Sequence, residues 1–356
     1  MDLLSSITRK LAEDAKNVAT APARTLRDWR HTARSVQNGE LPASEVLKII
    51  GGTIVALVVV LLLLFPIYWI LTAALSGSGA SLYTSNDFSL FPENPTLQPF
   101  IWVLGDIGIP SLVVSIPLSN LSLVTPEVML LDASAYGVER PSSFKTYLWN
   151  SVTVAIPTVL IAMALIIPAS YALSRREFLF RRKVLFLYVL LTQVGGGLGV
   201  ALLIGMYAIY VQFGLNDSKL ALAVYYAATA VPFNTWLLKT YMDGIPVSYE
   251  EAAVVDGAPP WRVVTEVILP MSAAGLATIF IFIFLTGWTE FVVAQTLLGT
   301  ENYTLPVGLY SLVDEYSIPW ARFSAFALTF ALPIMLVYLF AQRYIEGGLS
   351  FSGMEG

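Results

Sequence analysis

Six runs of about 20 or more apolar residues recur along this chain, and they decide what it can fold into. A helix needs about 20 such residues to cross a hydrocarbon core of roughly 30 Å. The runs lie near Ile49 to Leu75, Leu148 to Leu173, Val184 to Tyr210, Leu220 to Leu238, Met271 to Leu297 and Phe323 to Gln342. If they were buried soluble helices, the remaining residues would supply no amphipathic surface helices to cover them. Hydrophobic residues make up 56% of the chain and charged residues 13%, whereas soluble domains carry about a quarter charged. The expectation is an all-α, multi-pass membrane protein with six transmembrane helices.

Six crossings put both termini on one side, and Lys and Arg favour the cytoplasmic side. With the ends inside, sixteen of the twenty basic residues face the cytoplasm: eight up to Lys48, then Arg175, Arg176, Arg181, Arg182 and Lys183, then Lys239, Arg262 and Arg343. Only Arg140, Lys145, Lys219 and Arg322 fall outside. The chain is therefore expected in the cell membrane with both termini cytoplasmic. A net charge of -5 gives no basic surface for nucleic acid. Without cysteine, and with His31 as the one histidine, thiol chemistry and the usual zinc sites have no ligands to be built from.

Residues 1–47 are too long and polar for a secretory signal. Leu4, Ile7, Leu11, Ala15 and Val18 recur every three or four residues, as in a helix lying on the inner leaflet; a solvated extension is the other reading. After the first span (48–75), residues 76–147 hold seven prolines, which exclude a long helix. The β-branched stretch "SLVVSIPLSNLSLV" from Ser111 predicts a small strand-containing extracytoplasmic cap, either touching an external partner or covering the outer mouth. Residues 148–346 then form a five-helix core, and 347–356 a cytoplasmic tail. Sequons stand at Asn120, Asn216 and Asn302 on the outer side.

Between the fourth and fifth runs lies "SYEEAAVVDGAPPWRVVTEVILP", from Ser248 to Pro270, with four carboxylates. Ser248 and Glu251 have the spacing of a capping box, which starts a helix at Tyr249. Gly257 supplies the left-handed residue that ends it. Pro259 and Pro260 suit the first turn of a second helix, continuing with Trp261, Val264 and Ile268 on one face to Pro270. The first helix is about 12 Å long, too short to cross, so it must dock or be a helical loop. Ala252 and Ala253 permit close approach, and Glu250 and Glu251 are expected to remain available to cations on a partner.

The pattern Glu251-Ala252-Ala253, then Gly257, then Val267, Leu269 and Pro270 resembles the cytoplasmic signature of permease subunits of ATP-binding-cassette importers. "NSVTVAIPTVLIAMALIIPASYALSRREFLFRRK" from Asn150, "VPFNTWLLKTYMDGIP" from Val231, "GWTEF" from Gly287, "TLPVGL" from Thr304 and "QRYIEGGLS" from Gln342 are similar to the MalG-like half of carbohydrate importers, a binding-protein-dependent transport inner-membrane component family. The similarity covers nearly all of residues 48–356. It implies the type I importer permease fold. Glu250, Glu251, Ala252, Ala253, Asp256, Gly257, Trp261 and Pro270 would then belong to a coupling loop (241–270) seated on an ATPase subunit. It also implies a second, MalF-like permease, two ATP-binding subunits and an extracytoplasmic sugar-binding protein. Val264 stands where an aromatic residue is frequent, "TQVGGGLG" from Thr192 replaces a proline-containing stretch, and the basic tail and outer insertion are additional.

No G-x-x-x-x-G-K-[ST] loop occurs, so ATP and its magnesium belong to a partner chain; no cofactor is expected on this one. Glu290 is the ionisable residue within the spans, which points to a path, a packing role or an interfacial position. With Trp288, Gln193 and Asn234 it makes up the candidate pathway set. Gly195, Gly196 and Gly197 either allow close helix packing or break the helix. Sugar import by an ATP-driven complex is the leading expectation; the alternatives are import of another solute or a stand-alone secondary transporter. No His-Glu metal pair or G-x-S-x-G elbow supports a membrane enzyme.

Overall fold

The structure is a computed structural model and describes residues 43–77, 91–92, 94–109, 113–115, 122–124, 128–197, 199–313 and 318–352. The amphipathic stretch expected at Leu4 to Val18 and the Asn120 sequon lie outside these residues. Two compact units divide after Trp69. The first is represented by the helix Ala43–Leu75 up to that point; the second is Ile70–Gly356.

Among the described residues four helices are long and apolar enough to cross a bilayer: Lys48–Leu75, Phe144–Arg175, Lys219–Asp243 and Trp320–Ile345. These are the first, second, fourth and sixth spans. A fifth is a bent pair, Pro260–Met271 and Ala273–Thr289, with 80° between the two pieces. The third expected run is helical over Arg181–Gly197 and Gly199–Gln212. The fifth run stops short of its expected end: its helix finishes at Thr289 and a separate short helix occupies Val292–Leu297. The last helix continues to Ser352, through residues expected to be tail.

Spans two and four form the centre of the bundle. Ala162 and Ile166 of span two meet Ala227, Ala230 and Leu238 of span four, with Ile279 and Ile283 of span five against both. Small residues allow this approach. A Cβ on Gly287 would stand 3.1 Å from the Cα of Ala155, so span five lies directly on span two there. Two hydroxyls stitch the central pair, since Ser170 Oγ donates to Thr235 O at 3.0 Å and Thr158 Oγ1 to Ala223 O at 3.4 Å.

The insertion at residues 76–147 contains the expected strands. Ile107–Ile109 pairs with Val128–Leu131, and Val113–Ser115 with Ser122–Val124, both antiparallel. Below them Trp102, Val103, Ala133 and Val138 pack with Phe144 and Phe326, the last two rings edge-to-face at 4.9 Å. Ser142 Oγ donates to Val103 O at 3.0 Å, and Asp106 accepts from the Ala133 amide at 2.8 Å. The insertion thus sits on the starts of spans two and six.

Candidate functional site

The short helix between spans four and five occupies Ser248–Val255. It begins one residue before the expected start, because the chain is already coiled at Pro246. Tyr249 N donates to Pro246 O at 3.3 Å, and Glu250 N and Glu251 N both reach Val247 O. Val247 is therefore the cap, Ser248 lies inside the first turn, and the expected Ser248–Glu251 capping box does not form. The C-terminal end matches the expectation. Gly257 has φ +81°, Ala258 N donates to Ala253 O at 2.9 Å and Gly257 N to Val254 O at 3.0 Å, which is the complete Schellman pattern.

Glu250 departs from what the sequence suggests. It is buried, 8% exposed, rather than available to a partner. Its carboxylate is ion-paired with Nε of Arg175, the last residue of span two. Tyr171 Oη donates to its other oxygen at 3.2 Å. Arg175 Nη2 also donates to Ile245 O at 2.8 Å, so one guanidinium clamps both ends of the approach to the short helix. Charge-assisted bonds of this kind are roughly twice as strong as neutral ones. Next to it, Ser174 Oγ donates to Asp243 Oδ1 at 2.7 Å, tying span two to span four. The sequence offered Arg175 only as one more basic residue; its partner lies 75 positions away.

Glu251, Ala252 and Asp256 are exposed, and Ala253 is half-buried. Around them stand bare apolar groups: Val254 is 61%, Val255 86% and Trp261 62% exposed. These side chains form an exposed apolar knob flanked by the carboxylates of Glu251 and Asp256. Arg262 lies 5.4 Å from the Trp261 ring centre and 3.3 Å from Glu266.

The second helix does not keep Trp261, Val264 and Ile268 on one face. Residues Val263–Ile268 form a π-helical turn, in which Leu269 N donates to Val264 O. Pro270 explains it, having no N–H to offer Glu266 and a ring that crowds that carbonyl. The wider turn buries Val263 and Ile268 and leaves Trp261 outward. Pro270 is exposed, and the 80° bend follows immediately.

The candidate pathway residues do not form one site. Trp288 is 2% exposed and stacks with Phe284 at 5.2 Å and Phe330 at 6.3 Å, so it fills the core. Glu290 sits where the fifth helix breaks. Its carboxylate accepts from the amides of Val293 and Ala294 at 3.0 to 3.2 Å and from the Tyr226 hydroxyl. It therefore caps the next short helix, where a carboxylate meets the positive end of the dipole. Asn234 is buried and donates to Ala230 O at 2.8 Å, while its Oδ1 has no partner among the described residues. Gln193 falls on the helix Arg181–Gly197, but its side chain is outside the described set. Of the sequons, Asn216 is exposed, whereas Asn302 donates its amide to Asp217 Oδ1 at 2.9 Å.

The comparisons with known proteins agree with this architecture. Residues 146–350 match the family described as "Binding-protein-dependent transport system inner membrane component". The maltose/maltodextrin transport system permease protein MalG of Vibrio parahaemolyticus is 31% identical over 303 residues, 83% of this chain and 92% of that protein. MalG of Photorhabdus laumondii is 31% identical over 325 residues, covering 88% and 98%. The inner membrane ABC transporter permease protein YcjP of Escherichia coli K12 is 30% identical over 214 residues, covering 60% and 75%. A chain in the crystal structure of a bacterial ABC transporter involved in import of the acidic polysaccharide alginate superposes with a TM-score of 0.64 at 22% identity, covering 85% of this chain and 98% of that one. With the family matched across 146–350 of 356 residues and relatives aligned nearly end to end, this chain belongs to the binding-protein-dependent transport inner membrane component family, as an importer permease.

Proposed function

We propose that this chain is the MalG-like permease half of an ATP-driven carbohydrate importer, without catalytic activity of its own. It lies in the cell membrane with both termini in the cytoplasm and shares the translocation path with a MalF-like permease. Two ATP-binding subunits use ATP and magnesium on the cytoplasmic side, and a sugar-binding protein delivers substrate outside. The observation that carries this reading is the elbow Ser248–Pro270. Its outer face, with Glu251, Val255 and Asp256, is exposed, and its inner face is bound to span two through Glu250 and Arg175.

Such a part transmits force. Closure of an ATPase pair would pull the exposed face, and the Glu250–Arg175 pair would carry the displacement into span two. Through the π-turn and the bend before Ala273 it would also enter span five. These are two ends of one two-state element, which is what coupling between distant sites requires. Uptake of a panel of labelled mono-, di- and oligosaccharides by vesicles holding the intact complex tests the reading. ATP-dependent accumulation of at least one sugar, unaffected by collapsing ion gradients, is expected; accumulation driven by an ion gradient without ATP would overturn it.

A further inference from the structure

An apolar groove of about 410 Å³ opens between spans two, five and six. Met163, Leu276, Phe280 and Val337 line its deep part, and Ala273, Phe340 and Tyr344 its elbow-side end. From Ala273 to Phe280 is about 10 Å of helix, a large part of the roughly 15 Å that one leaflet contributes to the hydrocarbon core. The wholly apolar lining and this length suit an acyl chain.

The mouth carries a cation placed for a phosphate. Arg343 lies 5.8 Å from the ring centre of Phe340 and 4.9 Å from that of Tyr344, and its Nη2 donates to Tyr344 Oη at 3.3 Å. Both rings belong to the groove wall. Arg343 is exposed, and no carboxylate pairs with it among the described side chains. A guanidinium held on aromatic faces keeps its remaining donors fixed in a fork that matches phosphate geometry. We propose that this groove binds one anionic phospholipid, with an acyl chain against Leu276, Phe280 and Val337 and the phosphate on Arg343. The inference rests on the orientation given above, which puts Arg343 at the inner leaflet. Ala273 is the first residue after the 80° bend, so the bound lipid wedges the hinge through which elbow movement enters span five.

Native mass spectrometry of the purified complex, titrated with phosphatidylglycerol, phosphatidylcholine or inorganic phosphate, tests this without any transport readout. Wild type is expected to retain one phosphatidylglycerol per chain, preferred over phosphatidylcholine by about fivefold, the scale of one basic residue at an anionic surface. Arg343→Gln should erase the preference while still retaining lipid, and Ala277→Trp, which fills the groove, should abolish retention of both. Inorganic phosphate should not compete. Equal retention by wild type and a folded Ala277→Trp, an unchanged preference in Arg343→Gln, or displacement by phosphate alone would each overturn the proposal. So would photo-crosslinks from Val337 to a protein segment in place of lipid. Arg343→Gln, a surface change, decides the matter if Ala277→Trp fails to fold. Lipid binding with no sugar uptake would count against the transport reading and leave this one intact.

Discussion

Glu250 and Arg175 meet in a buried ion pair that joins the elbow helix to the last turn of span two. Their side chains are only 11% and 10% exposed, and Arg175 also holds Ile245 O, so neither residue is free to serve an outside partner. The elbow is fastened to the bundle on one side and bare on the other.

Removing one member of a buried pair leaves an uncompensated charge, at a cost of about 3–5 kcal/mol. Glu250→Ala and Arg175→Ala are each expected to loosen the elbow. Hydrogen exchange at residues 245–255 should rise in both, and the ratio of sugar moved to ATP hydrolysed should fall. The double variant should be less damaging than the sum of the singles, because it leaves no orphaned charge. Strict additivity would show that the pair transmits nothing.

Gly257 needs its left-handed conformation but not its missing side chain, since a Cβ there would meet nothing within 4 Å. Gly257→Ala should therefore cost only backbone strain, about 1–2 kcal/mol, and Gly257→Asn less. Comparison of melting temperatures of the two variants checks this; equal losses would contradict it.

Gly287 poses the opposite case. Its added Cβ would press on the Ala155 backbone at 3.1 Å, while one at Gly205 would meet nothing. Gly287→Val should destabilise the bundle by about 1–3 kcal/mol through overpacking. Gly205→Ala should be neutral or stabilising by up to about 1 kcal/mol. Unfolding in mixed micelles ranks the two.

Much of this arrangement is legible in the sequence because it depends on local rules. Apolar length marked four spanning helices and the bent fifth, proline density marked the insertion at residues 76–147, and Gly257 marked the turn. What escaped depends on contacts across the fold. Glu250 looks as exposed as Glu251 until Arg175 arrives beside it, and the π-turn depends on how Pro270 is accommodated in a continuing helix. Trp288 and Glu290 are neighbours in sequence, yet one fills the aromatic core while the other caps a helix that hydropathy had merged with span five.

That division gives Glu290 a test. If its carboxylate acts by accepting from Val293, Ala294 and Tyr226, Glu290→Gln should keep an acceptor and leave sugar uptake within about twofold. Glu290→Leu should lose the cap, at about 0.5–2 kcal/mol, and more for the Tyr226 hydroxyl left unpaired. Uptake lost in both variants with unchanged melting would instead assign Glu290 to the path.

In the proposed importer the exposed face of the elbow is gripped by an ATPase subunit. Val255, 86% exposed, reports on it directly, because the chain has no cysteine and Val255→Cys introduces a single thiol for a short photo-crosslinker. In the complex assembled in its native membrane, one dominant adduct is expected, to the nucleotide-hydrolysing subunit, and it should be lost on Glu251→Lys. Adducts to lipid alone, or an ATPase adduct indifferent to Glu251, would contradict it.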